Sequence, residues 1–506
     1  MEPAAASEPC EFQLSNWTIE EPAAEVWAPA SLPMEEYVSI DIFGTCSLQA
    51  YVPESCGGQQ QLAEYCAAAT QHDSEYYEAA TQHNPGRVFK KLEREFKADD
   101  GMMKQKMHKY PASLRILDEC YTVPRIVAIG PYHRHRVHLK QTEKKKVLAA
   151  IVCVNQSNHS LQEFFSAVAC AADDVRCLYD DDDVMMAGIS CDDFRHMMFF
   201  DACFLVQYMS LITSSSQTMD ESLFGFLSPN RIDILHDITL LENQIPWKVV
   251  EAVMRFRPVH LEKLSRLRGS LRDKFLRKEK PPVHLVEGYK PPHFLGLFRY
   301  LIVGGGSNKP KDVVPQTGSR SFSVSAIELA EIGITLTPNA EDTLHMRLNE
   351  ETGTTIFPEL SVPPLALDRD RASFLVNMAA LEQCMFKRFS AAPEEDSAVC
   401  SYFRLLSVLV QREEDVHELR VRGVLQGGGG LTNEEALRFL TSSQDMRLGL
   451  SYRRIMRQIE SYKENRPVKT KLHAFYYNHK KTIAAVVSGI VSVGGIIGTI
   501  LSKKGL

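Results

Sequence analysis

Three histidines follow a Gly-Pro pair within nine residues of sequence, at His133, His135 and His138. Imidazole nitrogens are common ligands of zinc, so the rings would suit a metal ion if they converged beside a carboxylate or a thiolate. Arg134 and Arg136 lie between them, and two positive charges oppose the approach of a cation. The pattern favours a basic loop after a turn, and we expect neither a metal nor another cofactor.

Two carboxylates, Glu242 and Glu382, each stand inside an apolar stretch. A carboxyl group in apolar surroundings has a raised pKa and can act as an acid or a base. Such a group also commonly fastens a core by accepting hydrogen bonds from backbone or amide groups. We favour the structural role and assign no catalytic residue. An enzyme with an unrecognised site that uses Glu242, Glu382 or His133 stays open as the alternative.

An acidic run, Asp180 to Asp183, has Asp173 and Asp174 nearby and resembles an oxygen-rich cation site. The glycine and the distal glutamate of an EF-hand loop are absent, so a solvated acidic loop is the simpler interpretation. No phosphate-binding glycine loop, GxSxG elbow or HExxH pair occurs in the sequence. The motifs of the common enzyme classes are therefore missing.

The elements that must position these residues are mainly helical. Apolar periodicity predicts helices over 139–170, 192–212 and 232–256, the last interrupted at Pro246, and the leucines of 261–271 also recur at helical spacing. Prolines and glycines predict a long irregular connection over 281–320. Short β-like pieces occur at 332–336 and 354–357, and helices resume at about 370–390, 400–420 and 432–465, with a capping box at Thr432. The expected fold class is mainly α with a minor β element (α+β).

The charge distribution divides the chain. Residues 1–86 contain 14 Asp and Glu but no Lys or Arg, and residues 1–105 have the composition of a disordered extension. The 12 cysteines include no CxxC pair, which predicts free thiols in a reducing compartment. The basic stretch 255–280 lacks aromatic interleaving, so we expect no nucleic acid partner there, and a solvated or lipid-facing surface is favoured.

A C-terminal segment from Thr482 to Leu501 runs for 20 residues without a charge, with lysine pairs on both sides. This length matches the hydrocarbon core of a bilayer and predicts one transmembrane helix in a tail-anchored, single-pass protein. Six Lys and Arg precede the span closely, so the bulk of the chain is expected in the cytosol. Gly489, Gly494 and Gly498 are small residues of the span, and the last two could form a GxxxG homodimer face.

Eight phrases of the sequence, followed by the terminal hydrophobic helix, resemble in order those of the plant domain-of-unknown-function 247 family. The phrases lie at 121–133, 139–146, 201–205, 233–247, 293–299, 325–333, 363–365 and 381–384. The matching residues are Pro124, Gly130, Pro131, Tyr132, His133, Glu143, Asp201, Cys203, Phe204, Leu241, Glu242, Asn243, Gln244, Pro246, Glu382 and Gln383. The phrase from 233 to 247 is the most specific. Ala202 stands where the family usually has glycine, and the family's aromatic phrase before the terminal helix is weak here.

The resemblance implies a membrane-associated plant protein of unresolved biochemical activity, with no catalytic residues to carry over. Members of the family in grasses are linked to self-incompatibility, which is a recognition process. The resemblance therefore favours an interaction, recognition or signalling protein with unknown protein partners. The expected organisation is an extension over 1–105, a helical domain over 106–475 and a membrane anchor over 476–506.

Overall fold

The computed structural model describes most of the chain from residue 102 to residue 467, with gaps. The described residues are 89–90, 93–94, 102–111, 114, 118–179, 184–213, 219–268, 270–272, 289–304, 323–340, 343–349, 357–386, 389, 393–427, 430–442, 446–467, 470–471, 473–475, 477–479, 482–483, 485–486 and 488. All of them belong to the unit of the chain that begins at Gly57.

Helices make up most of the described structure. In chain order they are α1 (Lys140–Asn155), α2 (Leu161–Asp173), α3 (Val184–Ala187), α4 (Cys191–Thr213), α5 (Glu221–Leu227), α6 (Arg231–Ile238), α7 (Trp247–Phe256), α8 (Phe294–Val303), α9 (Ala326–Glu331), α10 (Arg369–Met385), α11 (Ala398–Leu409), α12 (Glu413–Val421), α13 (Asn433–Thr441) and α14 (Leu450–Asn465). Short 3-10 helices occupy Glu119–Tyr121, Val137–Leu139, Arg176–Leu178, Leu261–Leu267 and Glu394–Ser397.

Five short strands form two small sheets in the described part. They are β1 (Thr335–Pro338), β2 (Arg347–Asn349), β3 (Glu359–Val362), β4 (Leu365–Ala366) and β5 (Leu425–Gln426). In the larger sheet, β3 lies in the centre, parallel to β1 and antiparallel to β2, and its Leu360 pairs with Leu336 and Leu348. All three leucines are buried, so one face of the sheet closes the core. The expected fold class is confirmed.

Helix α4 is the centre of the N-terminal half. It is apolar on most of its surface, as expected for a helix that is covered on several sides, and it packs against α1, α2 and α7. Phe164 of α2 meets Phe199 of α4 edge to face, with 5.6 Å between the ring centroids. In the C-terminal half, α11 packs against α10 and α14.

Several predicted boundaries are confirmed and others are wrong. The apolar run 192–212 is a buried helix, Pro246 precedes α7, and Thr432 and Glu435 form the predicted capping box. The single helix expected over 139–170 is wrong, because the chain turns at 156–160 and Ser160 caps α2. The irregular connection expected over 281–320 contains α8, and the stretch 261–267 is a 3-10 helix.

The cysteines also depart in part from expectation. Seven described cysteines are free thiols, and Cys153, Cys203 and Cys400 among them are buried. Cys177 is disulfide-bonded, so the expectation of free thiols throughout is wrong at that position.

In the described part of the chain, one helix is long and apolar enough to cross a membrane, namely α4. Its most apolar window is 78% buried inside the domain, so it serves as a core helix. The predicted C-terminal span is described only at 482–483, 485–486 and 488, where it is helical. The positions Gly489, Gly494, Gly498 and Leu501 lie outside the described residues.

Candidate functional site

The carboxylate of Asp237, at the end of α6, binds three successive backbone amides. It accepts hydrogen bonds from the N–H groups of Arg125, Ile126 and Val127, at 2.8, 2.7 and 2.9 Å. The Asp237 side chain is fully buried, and His236 Nδ1 lies 3.0 Å from Oδ1. A buried carboxylate needs several donors to replace its water, and here the backbone supplies them. Asp237 thus fixes a segment that forms no strand of its own.

Two side-chain amides add further attachments, Asn243 to segment 125–130 and Gln244 to the start of α8. Asn243 accepts a hydrogen bond from the Ile129 amide at 2.6 Å and donates to the Val127 carbonyl at 3.0 Å. Gln244 donates to the carbonyls of Ile238 and Leu240 at 2.8 and 2.7 Å. Its Oε1 accepts from the Leu295 amide at 2.9 Å, at the start of α8. The residues of the most specific phrase therefore join three parts of the chain through backbone groups.

Asp201 of α4 lies in a buried ion pair. Its Oδ1 is 2.7 Å from Lys146 Nζ of α1, and its Oδ2 accepts from the Gly130 amide at 2.7 Å. Glu143 completes the set at 2.7 Å from the same ammonium group. Burial raises the pKa of Asp201, and the Lys146 charge opposes that rise. Burial disfavours the charge of Lys146, but the two carboxylates outweigh it and raise the pKa of the lysine.

Glu242 is half-buried and holds the segment that enters the domain. Its Oε1 accepts a hydrogen bond from the Tyr110 amide at 2.8 Å. Beside it, Asn377 Oδ1 of α10 accepts from the Leu241 amide at 2.7 Å and from the Tyr110 hydroxyl. Asn377 Nδ2 donates to the Tyr121 carbonyl at 2.9 Å. The chain around Tyr110 and around Tyr121 is thus attached to α10.

Glu382, near the end of α10, is fully buried and paired with Arg299 of α8. Its Oε1 accepts from Arg299 Nε and Nη2 at 2.9 and 2.6 Å. The amides of Val399 and Cys400, in the first turn of α11, donate to the same carboxylate at 3.0 and 2.8 Å. Burial raises the pKa of Glu382, while Arg299 and the two amides oppose the rise. Glu382 thereby satisfies the open N-terminus of α11.

The three histidines of the basic loop do not converge. His133 is buried, its Nδ1 accepts from Arg136 Nε at 3.2 Å, and its Nε2 has no hydrogen-bond partner among the described residues. His138 is exposed and bonds the Pro124 carbonyl at 3.0 Å, while His135 faces solvent. Burial lowers the pKa of His133 to about 4. In the described part of the chain, no three His, Cys, Asp or Glu side chains gather where a metal ion could bind.

The remaining residues of the family phrases contribute packing or a single contact. Tyr132 donates from its hydroxyl to the Met107 carbonyl at 3.2 Å, and the Gln383 carbonyl accepts from Arg447. The buried members are Pro124, Pro131, Cys203, Phe204, Leu241 and Pro246. Each lies inside the domain and none faces an open surface.

Parts of the acidic and basic runs are engaged with the fold. Asp173 binds Arg195 at 2.8 Å and Asp174 binds Lys248 at 2.7 Å, whereas Asp180 to Asp183 lie outside the described residues. In the basic stretch, Arg266 donates to the Ile212 carbonyl at 3.1 Å. Arg272 reaches the side chain of Asn339 at 3.1 Å. These two arginines are held by the domain, whereas Arg255 and Lys263 of the same stretch are exposed.

Sequence reasoning assigned no role to Asp237, Asn377, Arg299 and His293, although all but Asn377 stand in phrases that resemble the family. Asp237 carried a usable signal, because it is an acid between Ile234 and Leu240 in an apolar run. His293 is buried and caps α8, accepting from the Gly296 amide at 3.2 Å, and burial lowers its pKa to about 3. Arg299 and Asn377 gave no local signal, since each is defined by a partner more than eighty residues away.

Comparison with known proteins places these phrases in one family. The sequence profile of domain of unknown function 247, described as "Plant protein of unknown function", matches residues 107–493. UPF0481 protein At3g47200 of Arabidopsis thaliana is 24% identical over 364 residues, which are 66% of this chain and 72% of the relative. Putative UPF0481 protein At3g02645 of the same plant is 28% identical over 143 residues, or 28% of this chain and 25% of the relative.

No solved protein structure matches the chain significantly. The family profile nevertheless covers most of its length. In this chain, the side chains of the matching phrases join α1, α4, α6, α8, α10 and α11 into one framework. The chain belongs to the plant domain-of-unknown-function 247 family.

Proposed function

We propose that this protein is a membrane-anchored plant protein that acts by binding protein partners, in recognition or signalling. One observation carries the proposal. The ionisable side chains at the centre of the family phrases, those of Asp237, Asp201 and Glu382, are buried and bound to backbone amides or to a paired cation. Groups held in this way stabilise a scaffold and are not presented to a substrate. Function then lies on the surface that the scaffold supports.

The anchor is the segment Thr482–Leu501. Its length and lack of charge suit a bilayer, and Lys480, Lys481, Lys503 and Lys504 flank it. The basic residues upstream favour a cytosolic domain, with the lipid bilayer as the first partner. Gly494 and Gly498 supply a GxxxG face through which two anchors could pair as a homodimer.

The test of the anchor is extraction of plant membranes with alkaline carbonate. The full chain should stay in the membrane pellet, whereas a chain that ends at residue 481 should appear in the supernatant. A Gly494→Leu, Gly498→Leu variant is the matched control, because it remains apolar and should stay in the pellet even if it no longer pairs. Release of the full chain by carbonate would overturn the proposal of an integral anchor.

The test of the binding role is a comparison of surface and interior substitutions. Some substitutions of exposed residues should abolish the activity of the protein in the plant while leaving its helical circular dichroism unchanged. If that activity is instead lost only on substitutions at Glu242 or His133 that leave the free energy of unfolding unchanged, the protein acts through chemistry at those residues and the proposal fails.

A further inference from the structure

Helix α1 carries an outward line of side chains that the described fold leaves uncovered. Lys140, Lys144, Val147 and Ile151 are spaced by four, three and four residues, and all four are exposed. Val147 is 37% exposed and Ile151 is 50% exposed. This set is called the lysine–aliphatic stripe. Its opposite face, with Ala149, Val152 and Cys153 buried, packs into the domain.

The two lysines of the stripe are free to bind a partner. Neither Lys140 nor Lys144 forms an ion pair or a hydrogen bond with any described residue, whereas neighbouring Lys146 pairs with Glu143 and Asp201. Lys145 lies off the stripe, over the ring of Phe226, with 5.7 Å between its Nζ and the ring centroid. The stripe therefore offers two unpaired positive charges beside two exposed aliphatic side chains.

The spacing identifies the kind of surface. At 100° per residue the four side chains lie within an arc of about 60°, and they span about 16 Å along the helix. A narrow line with a repeat of 3.5 residues is the seam of a two-helix contact, whereas a helix that lies in a lipid interface needs a wide apolar face with aromatic residues. Val and Ile are also the side chains that suit a helix-helix seam.

We propose that the lysine–aliphatic stripe docks an amphipathic helix of a partner protein, whose apolar seam covers Val147 and Ile151 and whose carboxylates pair with Lys140 and Lys144. A second copy of this chain fits less well. In parallel contact its lysines would face lysines, and in antiparallel contact Lys140 would face Ile151 and Lys144 would face Val147, with no carboxylate opposite either lysine. The inference rests on the proposed binding role, since it takes the partner to be a protein, but it does not need the membrane anchor.

The test uses two synthetic helical peptides of about 21 residues, three heptads with Leu at the a and d positions. One has Glu at the e and g positions and the other has Lys there. Binding to the full chain in detergent is measured by fluorescence anisotropy. The acidic peptide should bind more tightly than the basic one. A Lys140→Glu, Lys144→Glu variant should bind the acidic peptide about tenfold more weakly and should bind the basic peptide more tightly than the acidic one.

Two further variants distinguish binding at the stripe from nonspecific binding to any exposed aliphatic residue. Ile151→Asp should weaken binding of the acidic peptide. Val421→Asp, which changes a 65% exposed aliphatic residue on α12, should leave that binding unchanged. Circular dichroism checks that each variant is folded. Equal binding of the two peptides, or unchanged preference in the charge-reversed variant, would overturn the inference while leaving the carbonate result untouched.

Two results would assign the stripe to another occupant and overturn the inference as well. One is self-association of the full chain that Ile151→Asp abolishes, which would make a second copy the occupant. The other is binding to phosphatidylserine vesicles by a chain that ends at residue 481, lost in the Lys140→Glu, Lys144→Glu variant.

Discussion

Gly130 lies against the backbone of Gln244 so closely that a Cβ atom on residue 130 would stand 2.6 Å from the Gln244 carbonyl oxygen. That carbonyl accepts a hydrogen bond from the Tyr179 hydroxyl at 3.1 Å, so it is not free to move aside. Gly130 also has a φ of +78°, a conformation that costs other residues about 1–2 kcal/mol. The family phrases at 121–133 and 233–247 therefore depend on each other.

Replacement of Gly130 by alanine should lower the free energy of unfolding by about 2–4 kcal/mol, from backbone strain and overlap together. Urea unfolding of the full chain, followed by circular dichroism, measures the change. The matched control is Gly225→Ala in α5, where nothing lies within 4 Å of the added Cβ, and it should stabilise the helix by about 1 kcal/mol. Equal effects of the two substitutions would contradict the close contact.

Asp237→Asn should destabilise the domain by about 2–4 kcal/mol, because an amide cannot accept from all three backbone N–H groups and turns a donor toward them. The neighbouring Asp233→Asn is the control, since Asp233 is 45% exposed in its pair with Arg125 and should change stability by less than about 1 kcal/mol. The same unfolding measurement compares them. A neutral Asp237→Asn would mean that the segment 125–127 is held by something other than this carboxylate.

Glu382→Gln should cost about 3–5 kcal/mol, because it leaves the Arg299 charge buried without a counterion. Arg299→Met combined with Glu382→Gln should cost less than the sum of the two single substitutions, by at least about 1 kcal/mol. A double-mutant cycle in urea measures that coupling. Exposed Glu434→Gln on α13, which breaks the pair with Arg438, is the control and should show no measurable change. Additive costs at 299 and 382 would argue against a coupled pair.

Acid should destabilise the domain through its buried histidines. His133 and His293 have pKa values lowered by burial to about 4 and about 3, against about 6.5 in the unfolded chain. Below pH 6.5 the unfolded state binds more protons, so stability falls as the pH falls and the loss is complete below the folded pKa. Each histidine contributes up to about 1.4 kcal/mol per pH unit in that window.

The measurement is the free energy of unfolding between pH 7 and pH 4.5. His293→Asn retains an oxygen that can cap α8, and His133→Asn retains an acceptor for Arg136. Both variants should flatten the pH dependence, whereas exposed His135→Asn should leave it as in the original chain. A pH slope unchanged by either buried substitution would show that other groups cause the acid loss.

Sequence periodicity was sufficient for the elements whose signal is local. Helix α4 and the capping box at Thr432 follow from apolar runs and from a four-residue pattern. Helix α8 was missed because its ten residues follow two prolines and precede three glycines, and those breakers dominated the composition of the stretch. Composition does not show that His293 is buried there and caps the start of α8.

The framework could be predicted only in part. The phrase around Glu242 and Gln244 was visible, and so was the apolar setting of Glu382. The partners were not, because Arg299 and Glu382 meet only after α8 and α10 pack together. In a hydrogen bond from a side chain to a distant backbone amide, the residue type of the backbone partner gives no signal, since every residue except proline supplies an amide.

Protease protection on sealed plant membranes, combined with glycosidase treatment, tests the proposed anchoring and orientation most directly. Asn155 and Asn158, of two N-x-Ser sequons, are exposed at the turn between α1 and α2, so a luminal domain would present both for glycosylation. The domain should be digested from the cytosolic side. Its electrophoretic mobility should not change on glycosidase treatment or in an Asn155→Gln, Asn158→Gln variant. A protected domain whose mobility shifts on glycan removal would contradict the cytosolic orientation and make recognition at the opposite face of the membrane the leading account.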